Sequence, residues 1–130
     1  MLQFLRKKFL PYIWLVILHI LLLIPMAGSK EQELTFVPQL DKMVHTGLYA
    51  ILTALWTLMI YQNKSLNKQQ KTNWTIVLVI LAIGDGIAIE FLQKTPWIHR
   101  DFDWFDAVAD GIGAISGIFI GKYFHRKLSA

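Results

Sequence analysis

The sequence predicts an all-α integral membrane protein: a bundle of four transmembrane helices with both termini cytoplasmic. Three observations carry this. Hydrophobic residues make up 55% of the 130-residue chain and mean hydropathy is +0.43, high for a soluble protein of this size. Four apolar runs each have the length of about 20 residues needed to cross ~30 Å of hydrocarbon. Basic residues are also sorted unevenly between the two sides of those runs, as the positive-inside rule requires of a spanning protein.

The first run extends from Phe9 to Ala27, interrupted by His19 in mid-span and Pro25 near its end. Arg6, Lys7 and Lys8 precede it as in a secretory signal. The apolar stretch is longer than a usual signal core, and Pro25 sits poorly before a cleavage at Ala27, so the run is read as a retained span. The second run covers about 41–61 and becomes strongly apolar after Thr46. The third, 74–93, carries Asp85 and Glu90. The fourth, 104–124, opens with Asp106 and Asp110 and continues through "GIGAISGIFIG". A length of 130 residues and the lack of repeats or a long linker fit one domain.

Charge sets the orientation. Arg6, Lys7, Lys8, Lys64, Lys68, Lys71, Lys122, Arg126 and Lys127 fall on one side of the spans, and Lys30, Lys42, Lys94 and Arg100 on the other. The richer side is cytoplasmic. The net charge of +4 does not indicate nucleic-acid binding, because the basic residues flank apolar segments instead of covering a soluble face. Lys122, Arg126 and Lys127 suit contact with anionic headgroups. Cysteine is absent, which excludes disulfides, thiolate metal sites and cysteine nucleophiles.

This topology gathers polar side chains at one membrane face. Lys42, His45 and Tyr49 belong to the outer end of the second span, Glu90 and Gln93 to that of the third, and Asp106 and Asp110 to the first turns of the fourth; Arg100 lies in the outer loop between them. At ~100° per residue, Lys42, His45, Tyr49 and Thr53 fall within about 80° of one another, and Asp106, Asp110, Gly113 and Gly117 within about 60°. Gly113, Gly117 and Gly121 allow a neighbouring helix to approach closely, so the carboxylates on their face point into protein. Ionisable groups inside a span are costly, ~2.5–3.5 kcal/mol each at the helix centre, and mark function by default. Pairs that only lock the helix ends are the plainer alternative. His19 reads as a hydrogen-bonded structural residue, Asp85 as either a proton site or a partner of His19, and His99 as a solvated loop residue.

These residues also carry a family likeness. "DKMVHTGLYAILTALW", with Lys42, His45, Tyr49 and Leu52, resembles the K-x-x-H-x-x-x-Y-x-x-L opening of the VanZ-like family. "EFLQ" followed by "HRDFDWFDAVADGIGAISG" resembles its second signature, with Glu90, Gln93, Arg100, Asp106, Gly113 and Gly117 in matching places and Asp110 where the family usually has Asn. The likeness covers residues 41–121. It implies a small, multi-pass protein of the bacterial cell membrane, related to one associated with resistance to teicoplanin-type glycopeptides, and it supplies no reaction.

Chemically, Glu90, His45 and Asp106 form a candidate proton-transfer cluster. Lys42, Tyr49, Gln93, Arg100 and Asp110 are candidate substrate-binding residues, with Arg100 suited to a phosphate or carboxylate. The expected ligand is an anionic envelope lipid, a wall precursor or a lipoglycopeptide, surrounded by membrane lipids, with a homo-oligomer as one arrangement. Binding without chemistry and proton- or ion-coupled transport through Asp85 and Glu90 are the alternatives. No cofactor is named and no residue is assigned as a metal ligand, although Glu90, Asp106, Asp110 and His45 together would suit Mg²⁺ or Mn²⁺ better than a structural zinc. No G-x-S-x-G, H-E-x-x-H or P-loop occurs.

Overall fold

The computed structural model describes residues 2–24, 40–98 and 103–130. A 3₁₀ turn at Leu2–Arg6 precedes four helices: α1 (Leu10–Leu23), α2 (Leu40–Gln62), α3 (Lys68–Gln93) and α4 (Trp104–Ser129). The chain is thus all-helical, and α2, α3 and α4 are each long and apolar enough to cross a membrane. Their 23, 26 and 26 residues extend roughly 35–39 Å at 1.5 Å per residue. Helix α1 has 14 residues, about 21 Å, which is shorter than a hydrocarbon core. Pro25, Met26 and Ala27, expected at the end of the first run, lie outside the described residues.

Two helices outrun the apolar segments that announced them. Helix α3 starts at Lys68 and not near Trp74, because Asn67 and Gln70 cap it reciprocally. The Gln70 N–H donates to Asn67 Oδ1 at 2.8 Å and the Asn67 N–H to Gln70 Oε1 at 2.9 Å, satisfying two donors that a helix start leaves free. Helix α4 continues past Phe124 to Ser129. Hydropathy reports where a chain becomes polar, whereas backbone hydrogen bonding continues for as long as the residues favour helix. At the other end of α4, Asp103 is the N-cap, its side chain accepting from the Phe105 N–H at 2.8 Å. Pro11 occupies the first turn of α1, where a missing N–H costs no helical bond.

Burial is inverted relative to a water-soluble bundle. Large apolar side chains face outward on α1 (Tyr12, Val16, Ile20), α3 (Trp74, Ile80, Leu81) and α4 (Ile112, Phe119), while His45, Thr53, Glu90, Gln93 and Asp110 are buried. An apolar exterior of this extent belongs against lipid or another apolar surface. The buried apolar core is small, built from Leu18 and Leu22 of α1, Leu48, Tyr49 and Leu52 of α2, Ala82 and Ile89 of α3, and Ala114 of α4. Trp14 Nε1 donates to the Leu48 carbonyl at 3.0 Å and ties α1 to α2.

The closest approach is between α2 and α4. A Cβ placed on Gly113 would collide with the Thr46 carbonyl, and one on Gly117 with the Ala50 carbonyl and Thr53 Oγ1; one on Gly121 would lie 2.6 Å from the Ala54 carbonyl oxygen. The three glycines thus meet α2 at intervals of four residues on both helices. Thr53 Oγ1 donates across the contact to the Ala114 carbonyl at 2.8 Å.

Gly117→Ala is expected to destabilise the protein by about 1–3 kcal/mol through overpacking. Gly47→Ala, with nothing within 4 Å of its added methyl, should gain roughly 0.5–1 kcal/mol in helix propensity. Unfolding in mixed detergent–SDS micelles, followed by circular dichroism, measures both, and equal responses would contradict the close α2–α4 contact.

Candidate functional site

The approach of α4 to α2 brings the first turns of these helices together with the last turns of α3, and a polar cluster fills the space. His45 and Asp110 are both fully buried, with His45 Nδ1 2.8 Å from Asp110 Oδ1. An ionised carboxylate only accepts, so against an ionised Asp110 the imidazole donates from Nδ1. Asp110 fits because α3 has Gly86 opposite it, where a Cβ would stand 2.7 Å from Asp110 Oδ2. Glu90, also fully buried, accepts the backbone N–H of Asp103 on Oε2 at 3.1 Å, joining the end of α3 to the start of α4.

Lys42 bridges the mouth of the cluster. Its Nζ lies 2.7 Å from Asp103 Oδ2 and 3.3 Å from Asp106 Oδ1. The hydrogen bond from Lys42 holds the Asp103 carboxyl below its ordinary value of 3.8, and the Phe105 N–H adds to this. Asp41, one turn before His45, places Oδ1 3.9 Å from His45 Nε2. Three buried side-chain atoms here, His45 Nε2, Glu90 Oε1 and Asp110 Oδ2, have no hydrogen-bond partner among the described residues, whereas Asp106 Oδ1 has the Lys42 ion pair. Buried polar atoms are normally paired.

The other expected site residues are distributed differently. Tyr49 is buried on the same face of α2 but directs its hydroxyl toward Asp85 Oδ2 at 2.8 Å. Gln93 donates from Nε2 to the Leu22 carbonyl at 2.8 Å, tying α3 to α1. Lys42 is ion-paired with aspartates, as above. Arg100 and His99 lie outside the described residues. Two aspartates take part in the cluster that the sequence did not place in it. Asp41 was signalled by its i, i+4 spacing to His45, and Asp103 by its position just before an apolar run, where N-caps occur.

Below the cluster, His19 of α1 hydrogen-bonds with the Leu15 carbonyl through Nδ1 at 2.8 Å and meets Asp85 Oδ1 through Nε2 at 3.0 Å. Of the two expectations for Asp85, partnership with His19 is what the fold contains. Because a carbonyl only accepts, Nδ1 is the donor to Leu15, and Tyr49 donates to the other Asp85 oxygen. At the opposite end of the bundle a cavity of about 260 Å³ is lined by Arg6, Tyr61, Gln62, Lys64, Lys71 and His125, among others.

No known family profile matches the chain, and no solved structure matches it. Among curated proteins, an uncharacterized protein of the fission yeast Schizosaccharomyces pombe is 29% identical over 91 residues, covering 70% of this chain and 52% of that protein. The chain spans about half the length of that relative.

Two outcomes follow from this geometry. His45→Ala and Asp110→Ala each leave a buried partner uncompensated and should cost about 3–5 kcal/mol. The double variant should cost less than their sum by roughly 1–3 kcal/mol in a cycle of unfolding measurements; strict additivity would mean the pair is not coupled. Because the Asp103 carboxyl is held low, its tie to Lys42 stabilises the fold above the ordinary carboxylate value and is lost as pH falls through the lowered one. Asp103→Asn should therefore flatten the low-pH limb of a stability–pH profile.

Proposed function

We propose that this is a VanZ-like, multi-pass membrane protein with four spans and cytoplasmic termini, whose polar cluster at the outer face handles an anionic membrane lipid or lipid-linked precursor by acid/base chemistry. Glu90 and His45 would transfer protons, with Asp106 beside them. Arg100 and Lys42 would hold the anionic group. One observation supports this above the others: Glu90, His45 and Asp110 are completely buried in one cluster with several oxygen and nitrogen atoms unpaired among the described residues. Helix-locking ion pairs alone would not need those unsatisfied atoms, each a cost of about 1–3 kcal/mol. Lowered sensitivity to glycopeptide-type drugs would be a consequence of such an activity in a bacterial envelope. The likeness to a fission-yeast protein favours a ligand that is not confined to cell-wall synthesis.

The His19–Asp85–Tyr49 contacts favour a second reading, proton-coupled movement through the bundle. Two ionisable groups bonded within the spans are the usual material of a relay.

Mass spectrometry of membrane lipids and lipid-linked precursors should separate the readings when wild type, Glu90→Gln and Asp85→Asn are compared at matched membrane levels. A covalent lipid species that disappears with Glu90→Gln and persists with Asp85→Asn supports the enzymatic reading. Unchanged lipid profiles, with both variants equally defective in a growth or drug phenotype, would replace it with the proton-coupled one.

A further inference from the structure

Among the described residues, the mouth of the bundle is strongly acidic. Asp41, Glu90, Asp103, Asp106 and Asp110 face one another across α2, α3 and α4, with Lys42 as the intruding cation. Such a site repels a phosphate or carboxylate unless a positive charge sits between them.

The side chains supply a place for that charge. One ligand atom each from Asp41, His45 and Asp106 lies within 4.8 Å of the others. The His45 imidazole is fully buried and its Nε2 has no hydrogen-bond partner among the described residues. The nearest carboxylate oxygen recorded for that nitrogen, Asp41 Oδ1, is at 3.9 Å, beyond a hydrogen bond. Ligands about 2.1 Å from an ion lie roughly 3.0 Å apart when adjacent and about 4.2 Å apart when opposite. The observed spacing therefore needs only small side-chain movements to close on one. Asp110, at 2.8 Å from Nδ1, stands where carboxylates behind metal-bound histidines stand, a position that would hold Nδ1 as donor and leave Nε2 to the ion. The Asp41 side chain is 47% exposed, so the site has a way in from solvent.

We propose that Asp41, His45 and Asp106 bind a divalent cation of the Mg²⁺ or Mn²⁺ type at the polar mouth of the bundle, with Asp110 orienting the imidazole and Lys42 competing for Asp106. Two carboxylates with one imidazole suit these ions, and Mg²⁺ commonly combines one or two protein carboxylates with waters and a substrate phosphate. The ion's open positions would face the mouth and receive an anionic headgroup. That last step rests on the function proposed above, whereas the cation site stands on its own ligands.

The test is direct binding of Mn²⁺ to the purified full-length protein in lipid-free, uncharged detergent, followed by electron paramagnetic resonance, with Mg²⁺ as competitor. The expected result is one saturable Mn²⁺ per chain, displaced by Mg²⁺. Asp41→Asn and Asp106→Asn should each weaken it roughly 10- to 100-fold. Lys42→Gln should tighten it several-fold, the opposite of what removing a merely structural ion pair would do. Asp41 is half-exposed, so its variant tests the site even if Asp106→Asn does not fold. Absence of saturable binding at millimolar Mn²⁺, or affinity unchanged in Asp41→Asn, overturns the proposal. Because no lipid is present, that failure is distinct from an unchanged lipid profile in Glu90→Gln.

Discussion

Everything at the polar end of this bundle depends on how closely α4 lies on α2. Gly113, Gly117 and Gly121 set the backbone of α4 against the carbonyls of Thr46, Ala50 and Ala54. Lipid tails are as apolar as leucine, so helices in a bilayer gain little from hiding apolar surface. They associate through close van der Waals contact and hydrogen bonds between helices. A four-residue repeat of small residues on one helix, matched to a four-residue repeat of carbonyls on the other, fixes a register as well as a distance. One turn before Gly113 is Asp110, and one residue before Thr46 is His45. The contact that packs the helices therefore also forms the buried imidazole–carboxylate pair.

The cluster that results stabilises the protein poorly for its size. A buried ion pair seldom exceeds the stability of well-packed apolar residues of the same volume, and this cluster leaves several polar atoms unpaired among the described residues. Threonines show what simple structural economy looks like in the same fold. Thr53 spends its hydroxyl on the Ala114 carbonyl and Thr46 on that of Ala109, and both leave little to be satisfied by anything else. His45 and Glu90 are different in keeping a buried polar atom each without a hydrogen-bond partner among the described residues. Partly satisfied polar groups in a low-dielectric setting are expensive, and a ligand is the physical means of satisfying them.

Much of this was legible in the residues. The apolar runs located four helices, and the angular clustering of Asp106, Asp110, Gly113 and Gly117 identified the buried face of α4. Helical spacing and topology together put the polar ends of α2, α3 and α4 at one end of the bundle. Helix ends were read less well: the capping pair Asn67 and Gln70 carries α3 six residues past its apolar segment, and the polar tail of α4 stays helical. Tyr49 and Gln93 shared faces with the site residues, yet Tyr49 turns to Asp85 and Gln93 to the Leu22 carbonyl. A helical wheel assigns a face, whereas the length and rotamer of a side chain choose the neighbour on that face.

By itself, then, the sequence determined the helical class, the apolar exterior, the small-residue stripe and the shared end of the bundle for His45, Glu90, Asp106 and Asp110, because each follows from composition and a 3.6-residue period. Only the tertiary structure decided the pairings: His45 with Asp110, Lys42 with Asp103 and Asp106, Asp85 with His19 and Tyr49. Those depend on the register and separation of helices more than 60 residues apart in some pairs. Differences of an ångström in that register select one carboxylate over another, and no local spacing in the chain records them.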